Sequence, residues 1–283
     1  VDHQTPYYGD TWAWTYNGPL DAILPNLQAS MSASGVTADR RTDLTIHASD
    51  AGGSGLYQMR ATNDGQTWSE WRDLAPTWSN WDLSYGLAAS GERTVEVEVL
   101  DAAGNAVRAT AGSVVLDVDG PGGQFIIEGG VEAVTTDRWT LDIAATDTFS
   151  APARMRASVN GGAFWEAWRD YGTRWEGLHA HPNGMQPQTG ARTVWLELED
   201  TLGNVSRLEA STILDQDAPT GRVTIHANQD DGETSDQVWT LQIEATDASS
   251  RVKEMRASND QGATWSPWRS YDSVWLGYDS EAF

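Results

Sequence analysis

Apolar and polar residues alternate in short runs along most of this chain. Leu44-Thr45-Ile46-His47-Ala48-Ser49-Asp50 is one such run, repeated at Leu141 to Asp147 and at Leu241 to Asp247. Apolar residues two apart put one face of a strand in a core and leave the other to solvent. Arg93-Thr94-Val95-Glu96-Val97-Glu98-Val99 and Arg192-Thr193-Val194-Trp195-Leu196-Glu197-Leu198 share this period. Each leads into Asp-x-x-Gly-Asn, at Asp101 to Asn105 and Asp200 to Asn204. Gly-Asn signals a hairpin, because both residues tolerate positive φ. A last strand follows, through Val114-Val115-Leu116 or Thr212-Ile213-Leu214. No stretch shows a helical period. Many short strands with regular turn signals predict antiparallel β-sandwiches, an all-β fold.

The pattern repeats. Leu20-Asp21-Ala22-Ile23-Leu24-Pro25 matches Leu116 to Pro121 and Leu214 to Pro219, and the three prolines lie 96 and 98 residues apart. These junctions divide the chain into a segment 1–24, repeats over 25–120 and 121–218, and a partial repeat over 219–283. Counted back from Pro25, Gly9-Asp10 falls where Gly203-Asn204 falls before Pro219, so residues 1–20 resemble the tail hairpin of a repeat. The third repeat reaches Phe283 where the first has read only Trp81-Asp82-Leu83. It lacks the Arg-Thr-Val strand and the Gly-Asn hairpin, which leaves open sheet edges and half a core. Residues 1–20 of a neighbouring copy are the expected donor of the missing strand, with Trp12, Trp14 and Tyr16 as anchors on one face. The chain begins with Val1, so a processed product or a fragment is expected instead if no strand is donated.

Between the two main strand pairs lies the densest tryptophan pattern. Met59-Arg60-Ala61-Thr62 leads through a turn to Trp68-Ser69-Glu70-Trp71-Arg72, with Trp78 beyond. Met155-Arg156 leads to Trp165, Trp168, Arg169 and Trp175, and Met255-Arg256 leads to Trp265, Trp268, Arg269 and Trp275. Nine of the 15 tryptophans sit here. Ser258 to Trp265 resembles an Asp-box turn, a motif of sialidase propellers. The long spacing and the intervening sandwich strands argue against a propeller. In a plain turn the Asp accepts backbone N–H groups and the Trp packs on the hairpin. The Trp-x-x-Trp-Arg half is also similar to the Trp-Ser-x-Trp-Ser motif of cytokine-receptor domains, where guanidinium planes stack between indoles. The alternative is an exposed aromatic platform for sugars. Burial of an indole stabilises more than a surface stack, so a structural staple is the expectation.

Taken together, Met-Arg-x-Ser-Asn-Asp-Gly-x-Thr-Trp-Ser-x-Trp, Arg-Thr-Val, Asp-x-x-Gly-Asn and the closing Leu-Asp-x-x-x-Pro resemble bacterial immunoglobulin-like or fibronectin-III-like repeats. The likeness covers residues 25–283, with 1–24 as a degenerate tail. Repeats of this kind imply an extracellular, cell-surface location and a stalk, spacer, adhesin or assembly module. They do not imply an enzyme.

Composition narrows the partners. The formal net charge is −23, and Lys253 is the single lysine. Such a chain repels nucleic acid and anionic membranes. There is no cysteine, so disulfides and thiolate chemistry are excluded, and no apolar run is long enough to insert into a membrane as a helix. No cofactor is required by any motif, but Ca²⁺ at the junctions suits the paired acids Asp117 and Asp119, then Asp215 and Asp217. Strand-end acids Asp50, Asp101, Asp147, Asp200 and Asp247 lie near them in sequence pattern. The bland alternative is solvated turns. His179-Ala180-His181 lacks an evident third ligand and reads as a polar loop. The expected partners are therefore copies of the chain or further domains of a longer surface protein. The expected role is a non-catalytic subunit of a filament, appendage or layer, with an adhesin or carbohydrate-binding stalk as the second reading.

Overall fold

The computed structural model describes residues 21–87, 89–181, 189–226 and 238–279. The proposed donor residues Trp12, Trp14 and Tyr16 lie outside them. The chain forms two compact units, Val1–Val118 and Asp119–Phe283.

The first unit contains β1 (Asn26–Met31), β2 (Val36–Thr37), β3 (Arg41–Ser49), β4 (Leu56–Thr62), β5 (Arg72–Asp73), β6 (Thr77–Asp82), β7 (Gly91–Asp101) and β8 (Ala106–Leu116). They form a three-stranded sheet, β1-β3-β6, and a five-stranded sheet, β2-β8-β7-β4-β5. The alternating runs decide which side chains face inward. Leu44 and Ile46 of β3, Met59 and Ala61 of β4, and Val95, Val97 and Val99 of β7 are buried in one cluster with Val114 and Leu116 of β8. Burial of each large apolar side chain stabilises by roughly 1.5–3 kcal/mol.

The second unit repeats this arrangement with β9 (Gly122–Ile127), β10 (Ala133–Val134), β11 (Arg138–Thr146), β12 (Pro152–Ser158), β13 (Arg169–Asp170), β14 (Arg174–His179), β15 (Gly190–Asp200) and β16 (Val205–Leu214). The sheets are β14-β11-β9 and β10-β16-β15-β12-β13. A single 3₁₀ turn, Glu128–Gly130, follows β9, and the described residues contain no α-helix. Both complete repeats are immunoglobulin-like antiparallel sandwiches, each closed by one short parallel strand at the edge of the larger sheet.

The third repeat has β17 (Thr220–His226), β18 (Val238–Thr246), β19 (Glu254–Met255), β20 (Arg269–Ser270) and β21 (Val274–Asp279). The smaller sheet is intact as β17-β18-β21, whereas only β19-β20 stands for the larger one. Val223 and Ile225 pair with Ile243 and Leu241, as Phe125 and Ile127 pair with Ile143 and Leu141. Phe125 and Ile127 are 5% and 3% exposed, but Val223 and Ile225 are 57% and 50% exposed. The difference has one cause: β16 packs over β9 in the second repeat, and no described strand does so over β17. Among the described residues one side of the third repeat is open, as a groove of about 310 Å³ lined by Val223, Ile225, Trp239, Leu241, Met255 and Trp275 among others.

Candidate functional site

The tryptophan pattern builds the same object three times. The guanidinium of Arg60 lies 4.9 Å from the Trp68 ring centre and 4.4 Å from that of Trp71. Arg156 sits 4.7 Å from both Trp165 and Trp168, and Arg256 sits 4.6 Å from both Trp265 and Trp268. The second arginine of each motif covers the third tryptophan: Arg72 on Trp78, Arg169 on Trp175 and Arg269 on Trp275, at 4.4 to 4.6 Å. Each stack is worth on the order of 0.5–2 kcal/mol. Trp175 and Trp275 also enter their repeats' cores, at 6% and 8% exposure. One face of each stacked indole is thus taken by a guanidinium of its own repeat.

Sequence reading missed the other half of this layer. Opposite Arg60 on β7 stands Glu98, and opposite Glu98 on β8 stands Arg108. Arg60 Nε donates to Glu98 Oε2, Arg108 Nε donates to Oε1 at 2.8 Å, and the Arg108 guanidinium also lies 4.7 Å from the Trp68 ring centre. The second repeat copies this with Arg156, Glu197 and Arg207, Arg207 stacking on Trp195 at 4.4 Å. Glu98 and Glu197 point away from the core, yet are only 5% and 7% exposed, because the Trp/Arg layer covers them. Burial pushes both carboxyls up, but the arginine hydrogen bonds outweigh it and hold them below their usual value.

The turns behave as Asp-box turns. Asp64 Oδ1 accepts the N–H groups of Gln66 and Thr67 and the Thr62 hydroxyl. The backbone donors of Thr67 and Gln66 lower its carboxyl to about 2. Asp260 is held well below its usual value, first by the Thr264 hydroxyl and then by the Thr264 N–H. In the second repeat Asn160 Oδ1 takes the corresponding place, accepting from Phe164 N–H and the Ser158 hydroxyl.

The arginine of the Arg-Thr-Val strand closes a loop. Arg93 is 3% exposed and donates to the carbonyls of Leu83, Leu87, Ala89 and Glu92. Burial lowers its pKa, and the carbonyls replace the water its donors would otherwise have.

The acids divide into buried and exposed sets. Of the junction acids, Asp117 and Asp215 are buried and Asp119 and Asp217 are exposed. The Asp215 carboxylate accepts from Asp217 N–H. In the first unit Asp21, Asp50 and Asp101 converge, each offering a carboxylate oxygen within 4.8 Å of the others. Asp101 Oδ1 accepts from Ala103 and Asn105 N–H. Asp21 accepts from Ile23 and Ser54 N–H. Asp50 Oδ2 accepts from Gly55 N–H, while the buried Asp50 Oδ1 has no hydrogen-bond partner. Asn105, the last residue of Asp-x-x-Gly-Asn, donates its side-chain N–H to the Asp21 carbonyl. The motif is therefore a tie to the junction as well as a turn. The junction acid meets strand-end acids here, a grouping that sequence spacing alone did not single out. Carboxylate oxygens are the ligand type that Ca²⁺ takes, about six to eight at a time, and this group offers three carboxylates. His179 and His181 lie 6.3 Å apart, His181 faces Asp137 at 3.4 Å, and neither belongs to a three-ligand group among the described residues.

Comparison with known proteins adds the following. No family model matches the chain, and no curated protein does. Solved structures do. The fibronectin(III)-like modules of Clostridium thermocellum CbhA are 12% identical, covering 66% of this chain and 94% of that one, with a TM-score of 0.29. A tetra-tandem repeat from the extending region of a large adhesion protein is 17% identical over 94% of this chain and 69% of that one, with a TM-score of 0.37. A Ca²⁺-stabilised adhesin with which an Antarctic bacterium binds ice is 17% identical over 89% and 65%, with a TM-score of 0.38.

Proposed function

We propose that this chain is a non-catalytic, extracellular structural segment: a run of immunoglobulin-like repeats acting as a spacer in a surface filament, appendage or layer. The observation that carries this reading is the repetition itself: the two-sheet sandwich is built twice and its smaller sheet a third time, with the same Arg/Trp stack on each hairpin. The chemistry of the described residues fits a scaffold: Glu98, Glu197, Asp64 and Asp101 are each bound into a hairpin or turn.

Ca²⁺ belongs to the same proposal. Asp21, Asp50 and Asp101 would hold it, with the unpartnered Asp50 Oδ1 as the group that most needs a cation. The ion would fasten the junction strand to the Asp-x-x-Gly-Asn turn.

A second reading, a carbohydrate-binding stalk, draws on Trp265 and Trp268, which are 46% and 58% exposed. A glycan array combined with electron microscopy separates the two. The expected outcome is rods or fibres without glycan signal. A glycan signal that Trp268→Ala abolishes, on dispersed particles, overturns the structural reading.

A further inference from the structure

His179-Ala180-His181 has no third ligand nearby in sequence, but the fold of the second repeat brings one to it. His179 ends β14 and stands opposite Arg138, the first residue of β11. Ala180 N–H donates to the Asp137 carbonyl, so the two chains stay paired beyond the strands. Residues two apart on an extended chain share a face. Ala180 is 1% exposed, and the two histidines flank it, each half-buried, with ring centres 6.3 Å apart. Asp137 Oδ2 lies 3.4 Å from His181 Nε2. That nitrogen is buried and makes no hydrogen bond among the described residues, although a carboxylate stands beside it. The spacing is long for a charge-assisted hydrogen bond, which runs at about 2.7–2.9 Å. It matches the edge of a tetrahedron around Zn²⁺, about 3.3 Å for bonds of about 2.0–2.1 Å.

The first repeat builds the same corner from other residues. Leu83 N–H donates to the Arg40 carbonyl as Ala180 does to Asp137, and Asp82 stands opposite Arg41 as His179 does opposite Arg138. Arg40, Asp82 and Ser84 therefore hold the places of Asp137, His179 and His181. Asp82 accepts from the Ser84 hydroxyl at 2.6 Å and pairs with Arg41 at 3.3 Å. That set satisfies itself. In the second repeat all three positions differ, and each carries a side chain able to ligate a metal.

We infer that Asp137, His179 and His181 bind a borderline divalent ion, Zn²⁺ in the first place, through two imidazoles and one carboxylate, with water in the fourth position. Imidazole nitrogen suits such ions, whereas Ca²⁺ takes oxygen ligands. The site is thus distinct in chemistry from the Asp21, Asp50 and Asp101 group. Asp137 and His181 already hold the ligand spacing. His179 completes the set by turning, because two imidazoles on one tetrahedral ion have ring centres about 5 Å apart. It lines a cleft of about 440 Å³ with Trp168 and Glu176, which gives its ring room. Bound there, the ion clips the end of β14 to the start of β11.

The test is isothermal titration of the chelator-stripped full chain with Zn²⁺, in excess Ca²⁺ to occupy the acidic surface, beside its His181→Gln and Asp137→Asn variants. The expected result is one saturable site per chain, weakened at least about tenfold by either substitution, the least that even the outer partners of a metal site are worth. If a variant misfolds, Co²⁺ titration of the unaltered chain decides. The intense visible bands of a tetrahedral ion support the site, and the weak bands of a six-coordinate ion overturn it. Wild-type affinity in either folded variant means an adventitious ion only and overturns the site, as does the lack of saturable Zn²⁺ binding in excess Ca²⁺.

Discussion

Phe125 and Val223 hold the same register position, opposite Ile143 and Ile243, yet one is 5% exposed and the other 57%. Nothing in their own strands explains this. The difference lies about 80 residues further on, in a strand pair that the second repeat has and the described third repeat lacks. Replacing Phe125 with Asp should destabilise the second repeat by about 3–5 kcal/mol, the usual cost of losing a buried phenylalanine. Val223→Asp should cost under about 1 kcal/mol, as surface changes do. Urea unfolding of the two variants checks the contrast.

Removing the glutamate under the Trp/Arg layer separates a structural ladder from a decorative one. Glu98→Ala leaves Arg60 and Arg108 side by side without their shared carboxylate. A loss of about 1–3 kcal/mol is expected in the first unit, with both arginines partly exposed and able to recover water. Adding Arg108→Ala should cost little more, because the two changes remove one network. Additive losses in a double-mutant cycle contradict the ladder.

The Asp-box turns should respond to acid. The folded-state pKa of Asp64 is lowered to about 2 from 3.8. A lowered pKa means stability that is fully present above the unfolded value and lost as pH falls from about 4 through about 2. Asp64→Asn should remove this dependence for the first hairpin, since Asn160 already serves in the second. Acid titration of wild type and variant, followed by near-ultraviolet circular dichroism, should show the difference only below about pH 4. Identical acid transitions contradict the role given to Asp64.

The strands, the period and the hairpin staple were legible in sequence because each is local. Alternation fixes which side of a strand faces inward, and Arg60, Trp68 and Trp71 lie within one hairpin. Glu98 was not recognised, because its partners Arg60 and Arg108 are set by strand register across two neighbours, and a solvent-facing position is buried only by a layer that sequence does not display. The Asp21, Asp50 and Asp101 group was hidden for the same reason: Asn105 reaches back 84 residues to bond the Asp21 carbonyl. Arg93 appeared as part of a motif, but its carbonyl cage forms only when Leu83, Leu87 and Ala89 are brought to it by the fold.

Calcium should stabilise the first unit. Millimolar Ca²⁺ at a hundredfold excess over its Kd adds about 2.7 kcal/mol by mass action. Thermal unfolding in Ca²⁺ against a chelator should therefore show a higher Tm, and Asp50→Asn should abolish the increment. A Tm indifferent to Ca²⁺ removes the ion from the proposal.

The most direct measurement of the open face is hydrogen exchange of the isolated chain, compared between equivalent strands. Amides of β18 should exchange at least about tenfold faster than those of β3 and β11, because only half a core covers them. Equal protection of β3, β11 and β18 contradicts the open face described for the third repeat.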